Sequence, residues 1–518
     1  MTYLAVPISA VNVDGAKEQI ASARAAGAEM VELRTDYLEG LDGSMVAELV
    51  AEAKQGKGAL PVIVTCRDKR EGGANDYSHD KRVEILVRGL EAGADYVDFE
   101  YENFLSTGAQ EPIRRALSQS GRGRLILSTH NFDGKFENIR KLYRHIQTVN
   151  CAAIPKLVYQ ADHINDCFDA FDLLRQSSGD RIVLCMGRGG LISRIIAPKL
   201  GSFVTFGSLD AQSATAPGQL SIAELKQMYR ADCMNEASDI YGIIGSPVGH
   251  SMSPAIHNAC FGSAGLNKFY VPVLIEGGPS EFDSFFDKII ARPWLGFKGF
   301  SVTIPHKGTA LAYVQRKGGF VEPLAERIGA ANTVIITDGR CKAYNTDYAG
   351  ALDAVTSRLG ISRSDLEDMS VAVVGAGGVS RAIVAGFCDA GAKVAIYNRT
   401  MSRGQELARE FGCECLPLSE LASLKADLLI NCTSVGMHPD VDSMPVPSEC
   451  LNRSMAVFDT VYNPVKTKLL AEARKKRAKT IDGVAMFVNQ AMAQYKLFTG
   501  TGGDEKLMKK VVTKRLGG

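Results

Sequence analysis

Eight short apolar runs punctuate the first part of the chain: Tyr3–Ser9, Met30–Asp36, Leu60–Arg67, Tyr96–Tyr101, Arg124–His130, Ala152–Tyr159, Arg181–Gly187 and Phe203–Gly207. Helical stretches separate them. Short, nearly continuous apolar runs are the signature of parallel strands buried on both faces. Eight of them alternating with helices over about 220 residues predict a (β/α)8 barrel. That fold fixes where chemistry belongs, because loops and side chains converge at the C-terminal ends of the strands.

Ionisable residues fall at those ends. Glu32 and Arg34 close the second run, Arg67 closes the third, and Glu71 follows it. Asp98 and Glu100 lie in the fourth, His130 ends the fifth, Lys156 sits inside the sixth, Met186 in the seventh, and Arg194 just after it. Solvation alone does not explain so many polar groups on successive strands that share one mouth. Lys156 is the sharpest, since Ala152-Ala153-Ile154-Pro155 and Leu157-Val158-Tyr159 flank it with apolar side chains. Two readings stand side by side: a strand-edge lysine whose stem snorkels to water, or a desolvated amine able to form an imine with a ketone. His130 is either a structural histidine or the proton carrier beside that amine, with Glu71 available to fix its tautomer.

A seam follows, from Ala214 to Ser253. Thr215-Ala216-Pro217-Gly218-Gln219 reads as a closing loop of the barrel. Ser221–Arg230 is a short amphipathic segment opening on Ser221-Ile222-Ala223-Glu224, a capping-box pattern. Ala231–Asp239 has no apolar period and reads as a linker. The chain has 518 residues, which at about 150 per domain suggests three or four domains. Its net charge of +1 supplies no strong field for nucleic acid or membrane. The twelve cysteines show no zinc-like pairing; Cys413 and Cys415 are the closest two and read as incidental thiols, suited to a reducing compartment. Met1 runs almost directly into the first apolar run, with no basic leader. The expected location is therefore the cytoplasm, or a plastid if a transit segment was trimmed away.

After the seam, Ile240–Ile244 reads as a strand, and Gly249-His250-Ser251-Met252-Ser253-Pro254 as a loop entering a helix near Ala255. Paired hydroxyls at a helix start suit a carboxylate. Plain N-capping by Ser253 explains Ser253 but not Ser251. Gly299–Lys307, Ile328–Thr333 and Tyr344–Asp347 each end in polar groups, together a lysine, an aspartate, an amide and a hydroxyl, able to bind a polyol and pass a proton. Val371–Val374 is a strand, Gly375-Ala376-Gly377-Gly378-Val379 a glycine turn, and Ser380-Arg381 the start of a helix, a context that supports dinucleotide binding. Ser380 stands where a third Gly or Ala is usual, which is expected to affect helix packing more than phosphate contact. The second strand, Lys393–Tyr397, ends in Asn398-Arg399-Thr400 rather than in an acid, which favours NADP over NAD.

Val31–Asp36, Arg67 with Glu71-Gly72-Gly73, Ser128-Thr129-His130-Asn131, Lys156, Met186–Arg194 and Ala216–Gln219 together resemble the type I 3-dehydroquinate dehydratases. The resemblance spans the first domain in motif order, with Thr215 where many relatives carry Ser. It implies a Schiff base at Lys156, proton abstraction and return by His130, and syn loss of water. It also implies Arg194 on the ring carboxylate, and Glu32, Arg34, Arg67, Met186, Thr215 and Gln219 around the substrate. From Ile240 onward the chain resembles the shikimate dehydrogenases, the pattern completed by Asn431–Met437, Phe458–Tyr462 and Asp482–Gln490. This second resemblance implies Lys307 and Asp347 as the proton-transfer pair and Ser251 and Ser253 on the carboxylate. Thr303, Asn332, Tyr462 and Gln490 would surround the ring. Gly375, Ala376, Gly377, Gly378, Val379, Asn398, Arg399, Thr400 and Arg403 would hold NADP, with Gly483 near the nicotinamide.

The whole is an α/β chain: a TIM barrel over residues 1–230, a linker over 231–239, a substrate lobe from 240–347 and 486–518, and a Rossmann lobe over 348–485. Its expected partners are small molecules, without nucleic acid or membrane. The two resemblances imply consecutive reactions, from 3-dehydroquinate through 3-dehydroshikimate to shikimate. Two rival readings are a dehydrogenase half acting on quinate, against which Ser253 and Thr303 argue, and an enzyme-derived regulatory protein. The regulatory reading predicts loss of at least one of His130, Lys156, Lys307 and Asp347, and all four are present.

Overall fold

The structure, a computed structural model, describes residues 2–210, 215, 218–249 and 251–517. Ala214, Ala216 and Pro217 of the seam and His250 of the following loop lie outside the described residues. The chain forms two compact units. The first comprises Met1–Asp239, Val273–Gly277 and Ser284–Gly296; the second comprises Ile240–Pro272, Gly278–Asp283 and Phe297–Gly518.

In the first unit the apolar runs become β1 (Tyr3–Ile8), β2 (Met30–Arg34), β3 (Val62–Thr65), β4 (Tyr96–Glu100), β5 (Arg124–Asn131), β6 (Ile154–Gln160), β7 (Ile182–Met186) and β8 (Val204–Phe206). They pair in the order β7-β6-β5-β4-β3-β2-β1-β8. Phe203 N donates to Arg181 O at 2.7 Å, bringing the two outer strands together and nearly closing the barrel. Alternate residues of a strand share a face. Ala5, Met30, Ile63, Ile126, Ile154, Ile182 and Val204 therefore meet in one apolar layer inside the barrel. Two residues further on, the same faces carry Glu32, Thr65, Ser128 and Lys156, and two further still, Arg34, Arg67 and His130. The apolar floor thus sets the height and direction of the polar groups above it.

Ser221 and Glu224 form a reciprocal capping box, Ser221 N to Glu224 Oε2 at 2.9 Å and Glu224 N to Ser221 Oγ at 3.2 Å. The segment it opens winds as a π-helix over Glu224–Met228. The linker run after it is anchored to the barrel unit. Met234 and Ser238 are buried, and the Lys199 ammonium holds the carbonyls of Glu236 and Ser238 at 2.8 and 2.7 Å. A lack of apolar period hid this anchoring, because backbone carbonyls supply the contacts.

The second half builds two sheets. One contains β9 (Asp239–Gly245), β10 (Lys268–Leu274), β11 (Phe297–Val302), β12 (Phe320–Val321), β13 (Thr333–Thr337) and β14 (Arg340–Tyr344), in the order β10-β9-β11-β13-β14-β12. The other contains β15 (Ser370–Val374), β16 (Lys393–Asn398), β17 (Glu414–Pro417), β18 (Leu428–Asn431), β19 (Ala456–Asp459) and β20 (Lys479–Ile481), all parallel, in the order β17-β16-β15-β18-β19-β20. This is the doubly wound order, whose switch point lies between β15 and β18. The helix Gly483–Thr499 follows β20 and returns to the first sheet, where Gln494 Nε2 donates to Thr333 Oγ1 at 3.1 Å. Among the described residues no helix is long and apolar enough to cross a membrane, and no group of ligating side chains could hold a metal ion.

Candidate active sites

The ten barrel residues expected at the catalytic or substrate site line one cavity at the C-terminal ends of the strands: Glu32, Arg34, Arg67, Glu71, His130, Lys156, Met186, Arg194, Thr215 and Gln219. Lys156 does not sit among apolar groups. Its immediate neighbours Pro155 and Leu157 point away from the cavity, while its amine lies 2.6 Å from Asp98 Oδ2, 3.4 Å from Glu32 Oε1, and 4.8 Å from the centre of the Phe206 ring. Strand alternation is the reason: the neighbours in sequence face the other way.

Asp98 is the hub. It faces Lys156 and Arg67 Nη2 (3.0 Å), and its second oxygen accepts from Ser128 Oγ at 2.6 Å. Burial opposes its charge, yet Arg67 and Lys156 outweigh burial and hold its carboxyl well below the usual carboxylate range. Arg67 reaches on to Glu100 at 2.9 Å, and Glu100 is gripped from behind by the fully buried Arg82 at 2.6 Å. Arg34 makes a two-pronged pair with Asp36 at 2.9 and 2.8 Å.

His130 Nδ1 lies 3.0 Å from Glu71 Oε2, which also accepts from the His130 backbone N–H. Burial, with the positive charges of Arg67 and Lys156, keeps the imidazole far below its ordinary pKa, so it is neutral at neutral pH. Burial pushes Glu71 up to about 7. With Glu71 ionised, Nδ1 carries the ring hydrogen and Nε2 is left as a base. Arg194 differs from every other cation of the mouth. It is 3% exposed, its Nε has no hydrogen-bond partner among the described residues, and burial pulls its pKa down to about 10. A buried guanidinium without a counter-ion is costly unless an anion arrives.

The second cavity opens between the two sheets of the second unit. It is lined by Ser251, Ser253, Thr303, Lys307, Asn332, Asp347, Val379, Tyr462, Gly483 and Gln490, and also by Ser301, Thr460, Phe487 and Gln494. Lys307 opens the helix Lys307–Arg316 and Asp347 opens the helix Asp347–Leu359; their side chains meet at 2.6 Å. Asn332 donates to Thr346 Oγ1 at 2.9 Å. Ser253 is not a helix cap: the helix Ser253–Ser263 begins at that residue, and its N–H donates to Ser251 Oγ at 3.2 Å. Met252 stands at the capping position, leaving the Ser253 hydroxyl free for another role.

At the mouth of the doubly wound sheet, Gly375 takes φ +109°, a conformation that favours glycine. A Cβ added at Gly377 or Gly378 would meet nothing within 4 Å, so open space lies over the start of the helix Gly378–Asp389. That helix start offers N–H groups to an anion, and the residues fit a dinucleotide pyrophosphate. The Ser380 hydroxyl, fully buried, accepts from Gly377 N at 3.1 Å and ties the helix start to the glycine turn. The physical cause is its N3 position, from which a short side chain reaches back to the cap. Asn398 ends β16 and donates to Thr400 O at 2.8 Å, while Arg399 and Arg403 are exposed with no ion pair among the described residues.

Asp98 and Glu100 were named in the sequence without a role, and the structure makes them the carboxylate partners of Lys156 and Arg67. Other functional neighbours were missing from the sequence-derived set. Gln494 lies one helical turn beyond Gln490 and could have been found by spacing. Phe206, Ser301, Thr460 and Phe487 carry no local signal.

The fold and these two residue sets define a chain with two separate catalytic centres, a barrel with a buried lysine and a two-lobed dinucleotide-binding oxidoreductase. Family models match in the same order: Type I 3-dehydroquinase over residues 4–236, the shikimate dehydrogenase substrate binding domain over 243–334, Shikimate / quinate 5-dehydrogenase over 358–459, and the shikimate 5'-dehydrogenase C-terminal domain over 483–513. The chloroplastic bifunctional 3-dehydroquinate dehydratase/shikimate dehydrogenase of Arabidopsis thaliana is 35% identical, with 99% of this chain and 84% of that protein covered. The shikimate dehydrogenase (NADP(+)) of Methanosarcina acetivorans is 38% identical across 54% of this chain and 98% of its own length. A crystal structure of a shikimate dehydrogenase in complex with NADP+ superposes with a TM-score of 0.50 at 35% identity, covering 55% of this chain and 97% of that one. The chain belongs to the bifunctional 3-dehydroquinate dehydratase/shikimate dehydrogenase family.

Proposed function

We propose that this chain dehydrates 3-dehydroquinate to 3-dehydroshikimate in the barrel and reduces that product to shikimate in the cleft, with NADPH. The observation that carries the reading is the presence of two complete polar sets, each in its own cavity, with no residue in common.

In the barrel, Lys156 attacks the substrate ketone and forms an imine with loss of water. Asp98, at 2.6 Å, keeps a negative charge beside the cationic iminium. His130 Nε2 removes a proton from the carbon between the imine and the hydroxyl-bearing carbon, then returns it to the departing hydroxyl. Water then hydrolyses the imine and frees Lys156. Arg194 holds the ring carboxylate, the anion its buried guanidinium otherwise lacks. Glu32, Arg34, Arg67, Met186, Thr215 and Gln219 surround the remaining hydroxyls.

In the cleft, Ser251 and Ser253 take the carboxylate, and Thr303, Asn332, Tyr462 and Gln490 surround the ring. Lys307 and Asp347 face the oxygen that exchanges a proton as ketone and alcohol interconvert, and their 2.6 Å contact lets that proton pass between them. Gly375, Ala376, Gly377, Gly378 and Val379 would hold the pyrophosphate, Asn398, Arg399, Thr400 and Arg403 the extra phosphate, and Gly483 would lie near the nicotinamide. When bound, the dinucleotide supplies the hydride.

One assay tests the reading: purified protein with 3-dehydroquinate and NADPH, following both the enone absorbance and the loss of NADPH. A transient enone consumed at the expense of NADPH is expected. An enone that accumulates while NADPH is untouched removes the second half of the proposal.

A further inference from the structure

We propose that Arg381 is a positioning residue of the dehydrogenase half, holding the dinucleotide-binding helix in register with the Lys307–Asp347 pair so that hydride donor and acceptor meet. This deepens, and rests on, the reading of the cleft as a shikimate site served by NADP.

Arg381 stands fourth in the helix Gly378–Asp389, and its backbone N–H donates to Gly377 O at 3.1 Å, which fixes its main chain to the glycine turn. Its side chain reaches away from its own helix. Nε donates to Ile328 O at 2.8 Å, Nη2 pairs with Glu410, and the guanidinium lies over the Phe411 ring, 5.9 Å from its centre. Glu410 and Phe411 end the helix Met401–Phe411, which starts directly after Asn398-Arg399-Thr400. One residue therefore joins the two segments assigned to the phosphates of NADP and ties both to Ile328.

Ile328 belongs to the substrate side. It ends the short helix Pro323–Ile328, and the last carbonyls of a helix lack partners within it and attract a cation. Gly329 follows at φ +70°, and a Cβ built there would meet Arg381 Nη2 at 3.1 Å, so the guanidinium lies on the turn itself. The next residues are stitched to the proton-transfer pair. Ala330 O accepts from Asn345 Nδ2 at 2.9 Å, and Asn345 Oδ1 accepts from the Asp347 N–H at 3.1 Å. Ala331 N donates to Lys307 O at 2.9 Å, and Asn332 lines the cleft. A second tie, Arg327 to Asp389 at 2.5 Å, meets the other end of the helix Gly378–Asp389, but Arg327 is 55% exposed and such pairs contribute little. Hydride transfer needs atoms held by the two lobes to approach within about 3–3.5 Å, and a misplacement of about 1 Å costs up to about a hundredfold. Each half-site is complete without Arg381; what Arg381 fixes is the distance between them.

The test is Arg381→Met, which keeps an apolar stem against Phe411 and removes every donor. The single-turnover rate of 3-dehydroshikimate reduction by NADPH, followed by stopped flow, is expected to fall about tenfold to a hundredfold. NADPH deuterated at the transferred position should slow that rate further, which marks hydride transfer as the step affected. The Kd for NADPH and the KM for shikimate should stay within about twofold, and the dehydratase rate should not move. Arg381→Lys keeps the charge but not the fork, so it should recover part of the rate; it serves alone if Arg381→Met does not fold, with a fall of about threefold expected. An unchanged single-turnover rate, a slowed rate without an isotope effect, a loss restored by saturating NADPH, or an equal fall in dehydration overturns the positioning role. A wild type unable to reduce 3-dehydroshikimate with NADPH removes the reading of the cleft itself, an outcome distinct from an active wild type indifferent to Arg381→Met.

Discussion

The barrel mouth and the dehydrogenase cleft handle similar polyols with opposite electrostatics. In the barrel, Lys156, Arg67, Arg82 and Arg34 pair with buried Asp98, Glu100 and Asp36, and among the described residues Arg194 has no ion pair. In the cleft, among the described residues, one ion pair, Lys307–Asp347, sits among hydroxyls and amides. The difference matches the chemistry proposed for each. A covalent iminium is a cation formed out of water, and preformed buried charges stabilise it without reorganising. The cleft passes one proton while its cofactor carries the electrons, so it needs one charged pair and neutral donors to place the ring. The price of the barrel solution is that removing one partner of a buried ion pair costs about 3–5 kcal/mol.

The largest test of that contrast is to remove each lysine. Lys156→Ala should lower dehydration by on the order of 10⁴-fold or more and leave shikimate oxidation with NADP nearly intact. Lys307→Ala should do the reverse, by roughly 10²–10⁴-fold. Borohydride added with 3-dehydroquinate should leave one ligand mass on Lys156 and none on Lys307, read by peptide mass mapping. Loss of both activities in either variant, with the protein still folded, would break the two-centre description.

Arg194→Met sharpens the electrostatic half. The KM for 3-dehydroquinate should rise about a hundredfold, as two charge-assisted bonds are lost. The free protein should become more stable, by about 1–4 kcal/mol, because a buried charge without a partner is gone. Denaturant unfolding checks the sign; a loss of stability would mean that Arg194 is satisfied in the free protein after all.

Arg399→Ala should weaken NADP by about tenfold to a hundredfold, since charged hydrogen bonds contribute roughly 1.5–3 kcal/mol, and should leave NAD almost unchanged. Asn398→Asp should go further, repelling the extra phosphate while offering NAD a ribose acceptor. The ratio of kcat/KM for the two cofactors is the readout, and an unchanged ratio in Arg399→Ala sinks the assignment.

The smallest effect is a pH limb confined to the barrel. Glu71 has its pKa raised to about 7. Below that pH it is protonated, its O–H can donate to His130 Nδ1, and the ring hydrogen moves to Nε2, where the base must be free. Dehydration should fall about tenfold per pH unit below about 7, and Glu71→Gln should abolish the limb while lowering the plateau. The stability sign runs the other way. A raised carboxyl pKa means that the folded state holds the proton more tightly, so stability is lost as pH rises from about 4.5 through about 7, not as it falls.

Much of this was legible in the chain itself. The eight apolar runs are the eight barrel strands within a few residues, because parallel strands buried on both faces leave a strong local mark. The glycine turn after Val374 announced the doubly wound sheet for the same reason, a conformational demand that only certain residues meet. The ionisable residues at strand ends were equally plain. What the sequence pattern misjudged were the partners. Lys156 looks apolar because its neighbours are, yet strand alternation turns its amine onto Asp98, which is far away in sequence.

By itself, then, the sequence determined the elements, their order and the types of group each would carry, since periodicity and turn chemistry act over a few residues. Tertiary structure alone decided which charges are satisfied and which are not. Arg34, Arg67 and Arg194 are the same residue type lining one mouth, and only packing makes two of them clamps on carboxylates and leaves the third, on the helix after β7, without an ion pair among the described residues. Coulombic pairing and desolvation depend on distances of a few ångströms between residues tens of positions apart, and no local pattern encodes those distances.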